Sequence, residues 1–338
     1  MFSNKILKNL IHVTFPFLFF RFKLEDFEMK QTIGIGAFGH VKLVKSKIFM
    51  HGKIRASYVL KCQNLKIIEE NNMMEHIKSE QRIMEELNHP FIIKFYGALL
   101  DSNNTYFLLE LLQGGELFRL LLEKNRFPED WSKFYAGTVL SAFYEIHIHN
   151  YVYRDLKPEN LVLDSKGYPK IVDFGLAKKL EGGKTWTLCG TPDYMPPEVI
   201  LNEGHDSAAD YWSLGILLYE LTFGTPPFTS EYPMDVYKNI LSGNLMMPEF
   251  FSDSLKDIIY KLLNPRQATR IGRTFGGTKQ IMKEEWFSEL KFEDLLERKL
   301  KPPFVPDLDN DDDMKYFDRG FQPDESDLVS LFVILSKV

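Results

Sequence analysis

The sequence contains very little cysteine. Only two of its 338 residues are of this type, Cys62 and Cys189, and they lie far apart in the chain. Two separated thiols can form neither a disulfide framework nor a zinc cluster, which excludes disulfide-stapled and zinc-ordered domains. So few cysteines fit a reducing compartment best, and we expect a cytoplasmic protein.

The sequence also lacks a hydrophobic run typical of a membrane span near its start. An apolar N-terminal stretch, residues 10–22, contains Pro16 and is shorter than the roughly 20 residues that a spanning helix needs. Lys5 and Lys8 precede it, as in a signal peptide, but no small-residue cleavage site follows. We expect residues 1–23 to be an extension that packs on the domain, or to reflect an uncertain start site, and we do not expect a membrane anchor.

Positive charge is not in excess either. The chain carries 41 lysine and arginine residues against 47 aspartate and glutamate residues, a formal net charge of -6. This balance argues against a nucleic-acid-binding protein. Hydrophobic residues make up 44% of the sequence and no internal repeat is visible, so the chain can bury a large core in two closely joined domains or lobes.

Two short motifs bring together carboxylate, amide and lysine side chains. Residues 153–160 read Tyr-Arg-Asp-Leu-Lys-Pro-Glu-Asn, and residues 173–175 read Asp-Phe-Gly. The proline at 158 lies between Asp155 and Asn160, so these two side chains are expected on a loop, where they can converge. Asp173 follows a predicted strand, residues 168–172. This set of side chains suits metal-dependent phosphoryl transfer.

A glycine-rich run spans residues 34–41. Such a run is shared by turns and dinucleotide-binding loops, but a dinucleotide loop opens a helix, whereas the alternating polarity of residues 41–44 predicts the second strand of a hairpin. Glycines in such a loop let backbone N–H groups approach phosphate oxygens. The residues assigned to nucleotide contact here are Gly34, Ile35, Gly36, Ala37, Phe38, Gly39 and Val41.

A lysine and a glutamate are predicted to pair. Residues 58–62 read as a strand that places Lys61 on the same face as Val59. An ordinary strand lysine is solvated. The helix predicted over residues 69–87, however, has an apolar stripe interrupted only by Glu80, and a carboxylate in such a stripe is costly unless a cation meets it. We expect Lys61 to be that cation and to be oriented on nucleotide phosphates.

Several segments of the sequence resemble one protein family. Residues 153–175 match the catalytic loop and metal-binding turn of protein kinases, and residues 185–198 resemble the activation segment of AGC-type Ser/Thr kinases, in the cyclic-nucleotide-dependent branch. Residues 75–80, 201–206 and 209–216 are more similar to cGMP-dependent than to cAMP-dependent kinases. The resemblance covers about residues 24–306.

The resemblance implies an α+β, two-lobed protein-kinase fold. Its smaller lobe would be an antiparallel β lobe with one key helix, and its larger lobe mainly helical, in agreement with the long apolar patterns of residues 129–149 and 207–223. The expected divisions are an extension at 1–23, a small lobe at 24–110, a large lobe at 111–287 and an AGC-type tail with an atypical end at 288–338.

The resemblance also implies roles for single residues, with ATP and Mg²⁺ as cofactors. Asp155 would accept or orient the proton of the substrate hydroxyl, Lys157 would stabilise the transferring phosphoryl group, and Asn160 and Asp173 would hold magnesium. Further ATP contacts would come from Val59 and from the hinge positions Glu110, Leu112 and Glu116. Asp210 would support the backbone of the catalytic loop, and Glu198 would pair with Arg270.

Regulation and substrate choice follow from the same resemblance. Thr187 would be the activating phosphorylation site, with Arg154, Lys178 and His76 as the cations that receive its phosphate. Basic peptides are the expected substrates: acidic positions for substrate arginines are Glu116, Glu159 and Glu220, and the apolar pocket after the acceptor is formed by Leu188, Pro192 and Met195.

Several features depart from the family pattern. Val59 and Pro196 each stand where the family usually has alanine, and the tail lacks the terminal aromatic motif. The 23-residue extension has no room for a cyclic-nucleotide-binding domain, so a separate regulatory subunit is a possible partner besides protein substrates. Two alternatives remain open: a catalytically weak kinase-like scaffold, and a small-molecule phosphotransferase of related fold.

Overall fold

A computed structural model describes residues 22–36, 39–273 and 276–317, apart from the side chains of residues 53 and 54. These residues form two compact units. The described parts of the first unit are residues 22–81, 94–113 and 308–317, and the described parts of the second lie within residues 82–93 and 114–307.

The first unit is built on an antiparallel sheet. Its strands are β1 (Phe27–Gly36), β2 (Gly39–Ser46), β3 (Phe49–Met50), β4 (Lys53–Ile54), β5 (Ser57–Asn64), β6 (Phe95–Leu100) and β7 (Asn104–Glu110). Five of them form one sheet in the order β1-β2-β5-β7-β6, and β3 pairs with β4 in a separate hairpin. The antiparallel small lobe expected from the sequence is confirmed.

One face of this sheet forms a hydrophobic core. Val44, Leu60 and Leu108 are completely buried on adjacent strands, and aromatic rings cover them. Phe27 meets the ring of Tyr58 edge to face at a centroid distance of 6.4 Å, an arrangement that aromatic pairs prefer. Alternate residues of β5 therefore pack into this core, and the residues between them lie on the opposite face of the sheet.

Two helices, and not one, follow β5. The prediction of a single helix over residues 69–87 is wrong, because the chain forms α1 (Leu65–Glu70) and α2 (Met74–Glu86). The break falls at Asn72, whose φ of 55° is left-handed, a conformation that asparagine tolerates better than most residues. Asn64 caps α1, because its side-chain oxygen accepts from the backbone N–H groups of Lys66 and Ile67.

The second unit is mainly helical, as expected. Its helices are α3 (Leu117–Lys124), α4 (Glu129–Ile148), α5 (Pro197–Ile200), α6 (Ala208–Phe223), α7 (Pro233–Ser242), α8 (Asp253–Leu262), α9 (Thr278–Ile281) and α10 (Phe292–Leu296). Short strands β8 (Tyr151–Val152), β9 (Leu161–Leu163), β10 (Pro169–Ile171) and β11 (Lys178–Lys179) pair as β8 with β11 and β9 with β10. Throughout the described residues, none of the helices has both the length and the apolar character that a bilayer crossing demands.

Helices α4 and α6 pack together in the interior of this unit. Nearly all residues of α6 are buried, which agrees with its almost uninterrupted apolar sequence. Both helices begin and end within one residue of the ranges predicted from the sequence. The predicted large lobe is therefore confirmed in its two central helices.

A buried ion pair joins distant parts of the second unit. The guanidinium of Arg270 donates from Nη1 and Nη2 to the two carboxylate oxygens of Glu198 at 2.6 and 2.8 Å, and the Arg270 side chain is fully buried. Nη1 also donates to the carbonyl of Ala208. Glu198 lies in α5, which begins cleanly because Pro196 is extended and Pro197 occupies the first helical position.

We expect Arg270→Ala to lower the free energy of unfolding of the second unit by about 3–5 kcal/mol, because it leaves the Glu198 carboxylate buried without its cation. All four tryptophans, at positions 131, 186, 212 and 286, lie in this unit, so tryptophan fluorescence in urea follows its unfolding. The control is Lys238→Ala, which removes an exposed pair with Asp235 and should cost less than about 0.5 kcal/mol. Equal effects of the two variants would contradict this account.

Candidate active site

The glycine-rich run forms a β-hairpin in the first unit. Gly34 lies opposite Val41, and Gly36 lies opposite Gly39, across the β1–β2 pair. A Cβ atom at position 39 would collide with the carbonyl oxygen of Cys62 on β5, so this position requires glycine. The hairpin rules out the strand-to-helix turn of a dinucleotide fold. Ala37 and Phe38 at its tip lie outside the described residues.

Lys61 and Glu80 are in contact in the first unit. The Lys61 Nζ atom lies 2.6 Å from Oε1 of Glu80, and the Glu80 side chain is only 2% exposed. The lysine comes from β5 and the carboxylate from the buried face of α2, between Ile77 and Met84. A buried carboxylate needs such a cation, and the pair holds the lysine in a defined position.

The remaining nucleotide-contact candidates of the first unit lie on β5 and on the segment after β7. Val59 is buried on β5 and Leu112 is buried beyond β7. Glu110 ends β7, and its side chain accepts from the backbone N–H of Lys94 at 2.6 Å. His76 is exposed on the first turn of α2.

In the second unit, the side chain of Asp155 is held by three neighbours. Thr191 donates its hydroxyl to Oδ1 at 3.1 Å, Asn160 donates its amide to Oδ2 at 2.7 Å, and Lys157 lies 3.4 Å from Oδ2. Lys157 also donates to the Thr191 hydroxyl at 2.9 Å. The carboxylate is thus oriented by its own loop and by the activation segment together.

The backbone of this loop is held by Asp210 from the first turn of α6. Its two carboxylate oxygens accept from the backbone N–H groups of Tyr153 and Arg154 at 2.9 and 2.8 Å. His147 of α4 lies 2.7 Å from the same carboxylate, which is completely buried. Arg154 has a left-handed φ of 71°, and these bonds maintain that strained conformation.

Asn160 and Asp173 offer oxygen atoms suited to a hard divalent cation. The Asn160 side chain donates from Nδ2 to the backbone and side-chain oxygens of Asp155, and its Oδ1 atom is of the type that binds a hard cation. Asp173 is exposed and has a left-handed φ of 55°, and its carboxylate accepts from the N–H of Gly175. The donor set therefore fits magnesium in chemical type.

Two threonines of the activation segment have different surroundings. Thr185 is buried, and its hydroxyl accepts from Lys178 at 3.1 Å, whereas Thr187 is exposed. Arg154 donates from Nε to the carbonyl of Leu176. Of the three predicted phosphate-binding cations, Lys178 thus contacts the segment at Thr185, and Arg154 lines a small cavity together with Cys189 and Thr191 of the segment.

The candidate peptide-binding residues differ in exposure. Glu116 and Leu188 are exposed, Glu159 and Pro192 are half-buried, and Met195 and Glu220 are buried. Burial, together with the nearby carboxylates Glu159 and Asp193, raises the pKa of Glu220 to about 8. Tyr194 donates its hydroxyl to Glu220. The carboxyl group of Glu220 is therefore largely protonated at neutral pH.

Three residues of this site were not identified from the sequence. Thr191 contacts Asp155, Asp193 raises the pKa of Glu220, and His205 bonds to the activation segment through its backbone. Each acts through a tertiary contact, so its type alone gave no signal. Thr191 and Asp193 could have been suspected because both lie within the segment that resembles a kinase activation segment.

A protein kinase domain matches residues 27–287. The chain is 44% identical over 301 residues to the Drosophila melanogaster cGMP-dependent protein kinase, isozyme 1, covering 88% of this chain and 39% of that protein. It is 40% identical over 298 residues to the cAMP-dependent protein kinase catalytic subunit 3 of the same species, covering 88% and 50%.

A fungal relative gives a similar result. The cAMP-dependent protein kinase catalytic subunit of Schizosaccharomyces pombe is 42% identical over 288 residues, covering 85% of this chain and 55% of that protein. The chain thus spans about half or less of the length of these relatives. The resemblance to cyclic-nucleotide-dependent kinases is confirmed, and the chain belongs to the protein kinase family.

Proposed function

We propose that this protein transfers the γ-phosphate of ATP to serine or threonine in basic peptides, with magnesium as the metal ion. The proposal is carried by the network around Asp155, in which Thr191, Lys157 and Asn160 hold one carboxylate in place. Protein kinases need such a positioned carboxylate at the hydroxyl that attacks phosphorus. Catalysis then depends mainly on positioning and on electrostatic stabilisation.

In the proposed reaction Asp155 orients the substrate hydroxyl and takes its proton. The hydroxyl oxygen forms a bond to the γ-phosphorus as the bond from that phosphorus to the β-phosphate oxygen breaks, and ADP leaves with the electron pair. Lys157 stabilises the transferring group. Asn160 and Asp173 would hold magnesium, which when bound neutralises charge on the phosphates.

The first unit supplies nucleotide recognition in this proposal. Lys61, fixed by Glu80 at 2.6 Å, would bind phosphate oxygens, and the backbone of the β1–β2 hairpin would approach them. Val59 and the segment after β7, with Glu110 and Leu112, would contact the base. Glu116, which belongs to the second unit, would accept from the ribose hydroxyls.

We further propose that phosphorylation of Thr187 activates the enzyme. Thr187 is the exposed threonine of the pair, and Arg154 and Lys178 are the cations supplied by its own unit. His76 of the first unit would complete the set. We propose that the enzyme acts on protein substrates in the cytoplasm. A separate subunit that binds a cyclic nucleotide would be its regulatory partner.

The basic test is transfer of labelled phosphate from ATP to a peptide with arginine two and three residues before its serine. Asp155→Asn should lower kcat at least about 100-fold, since the general base is lost. Asp173→Ala should lower it by a similar or larger factor, because a metal-binding carboxylate is lost. The control is Glu289→Gln, an exposed carboxylate 3.5 Å from Lys133, which should leave the rate unchanged. Wild-type protein with no transfer above Asp173→Ala would instead indicate a scaffold.

A second prediction concerns Thr187. Thr187→Ala should lower kcat/KM about 10- to 100-fold, because one to two charge-assisted hydrogen bonds to the phosphate are lost. Treating wild-type protein with a phosphatase should cause the same fall, with loss of one phosphate from Thr187 verified by mass spectrometry. Full activity of Thr187→Ala, or of the dephosphorylated protein, would rule out activation at this residue.

A third prediction uses the raised pKa of Glu220. If its carboxylate binds a substrate arginine, the ionised form must be present, and this form increases as pH rises through about 8. KM for the arginine-containing peptide should therefore fall up to about tenfold between pH 6.5 and 8.5, relative to a peptide with alanine two residues before the serine. Glu220→Gln should abolish this difference between the peptides. A pH dependence that persists in Glu220→Gln would show that another group is responsible.

A further inference from the structure

A small cavity lies in the second unit behind the activation segment. Its lining includes Arg154 of the catalytic loop, Cys189 and Thr191 of the activation segment, and His205 and Ser213. The cavity is therefore a place where the catalytic loop, the activation segment and the start of α6 meet.

Two residues of this lining each carry a buried nitrogen atom without a hydrogen-bond partner in the described structure. These atoms are Nη1 of Arg154 and Nε2 of His205. The other hydrogen bonds of Arg154, from its backbone N to Asp210 and from Nε to Leu176, are made. Buried polar atoms normally have a partner, so an unpaired nitrogen on each of two residues that line one cavity points to a bound molecule between them.

His205 is tied to the activation segment through its backbone. Its N–H donates to the carbonyl of Thr185, and its carbonyl accepts from the N–H of Thr185, both at 2.8 Å. The residue is only 1% exposed. Thr185 lies two residues before the proposed phosphorylation site, so movement of the segment that carries Thr187 would also move His205.

The imidazole of His205 is neutral at physiological pH. Burial, followed by the positive charge of Arg154, lowers the pKa of His205 to about 4. A neutral imidazole has one nitrogen that donates and one that accepts, whereas a guanidinium only donates. A water molecule can accept from Nη1 and donate to Nε2, and it would satisfy both atoms at once.

We propose that the cavity binds one water molecule that links Arg154 to His205, and that His205 is thereby a positioning residue for the guanidinium. The backbone N–H of Arg154 donates to Asp210, its Nε donates to the carbonyl of Leu176, and its Nη1 would donate to this water. Together these bonds fix the guanidinium on the side of the loop that faces the activation segment. This inference rests on the proposed activation at Thr187, since the fixed guanidinium is the one that would receive its phosphate.

The test is a double-mutant cycle between positions 205 and 187 in the full chain. His205→Phe keeps a ring but removes both nitrogens. It should lower kcat/KM of the Thr187-phosphorylated protein about tenfold, and it should have no effect in the Thr187→Ala background, where no phosphate is present. His205→Gln, whose amide oxygen can accept from the water, should restore activity to within about twofold of wild type.

Matched measurements separate this role from simple packing. Val199→Ala enlarges the same cavity without removing a polar atom, and it should not distinguish the two backgrounds. An equal loss on His205→Phe in both backgrounds, or no loss in either, would overturn the role of His205. Full activity of Thr187→Ala alone would instead overturn the proposed activation, so the two failures are distinguishable.

A crystal structure of the unaltered protein provides an independent test if His205→Phe does not fold. At a resolution that shows ordered solvent, electron density for one water within hydrogen-bond distance of both Nη1 of Arg154 and Nε2 of His205 is expected. A dry cavity, or a direct bond between either nitrogen and a protein group, would contradict the water-binding site.

Discussion

The buried carboxylate of Asp210 is the interaction on which the catalytic loop depends. It accepts from the backbone N–H groups of Tyr153 and Arg154 and contacts His147, so one side chain at the start of α6 connects the loop to α4. A charge buried this deeply is stable only when its hydrogen bonds are made. Asp155 directly follows Arg154, the strained residue whose backbone Asp210 holds. The same contact therefore fixes the position of Asp155.

The activation segment is a second requirement for the same geometry. Thr191 bonds to Asp155 and Lys157, so the Asp155 carboxylate makes all of its observed contacts only when the segment is folded against the loop. Gly190 makes this approach possible: its φ is 112°, and a Cβ atom there would press on the carbonyl oxygen of Arg154. The proposed regulation through the segment would therefore act through the same contacts that orient this carboxylate.

Much of this arrangement could be predicted from the sequence because its signals are local. Glu80 stands out in an apolar helical stripe, and α4 and α6 have long apolar patterns. The break at Asn72 was missed, since the apolar period continues across it and only the backbone conformation reveals the turn. Thr191, Asp193 and His205 were missed for a different reason: their roles depend on contacts with residues distant in sequence, which no periodicity encodes.

The Arg270–Glu198 pair has a consequence for the order in which the protein folds. It joins residues 72 positions apart, and the guanidinium also holds the start of α6 through Ala208. Contacts between such distant positions form late, because the entropy of closing the intervening loop must be overcome first. During synthesis, the start of α6 would therefore lack this anchor until position 270 has emerged from the ribosome. Chains that end before that position would leave the Glu198 carboxylate without its cation.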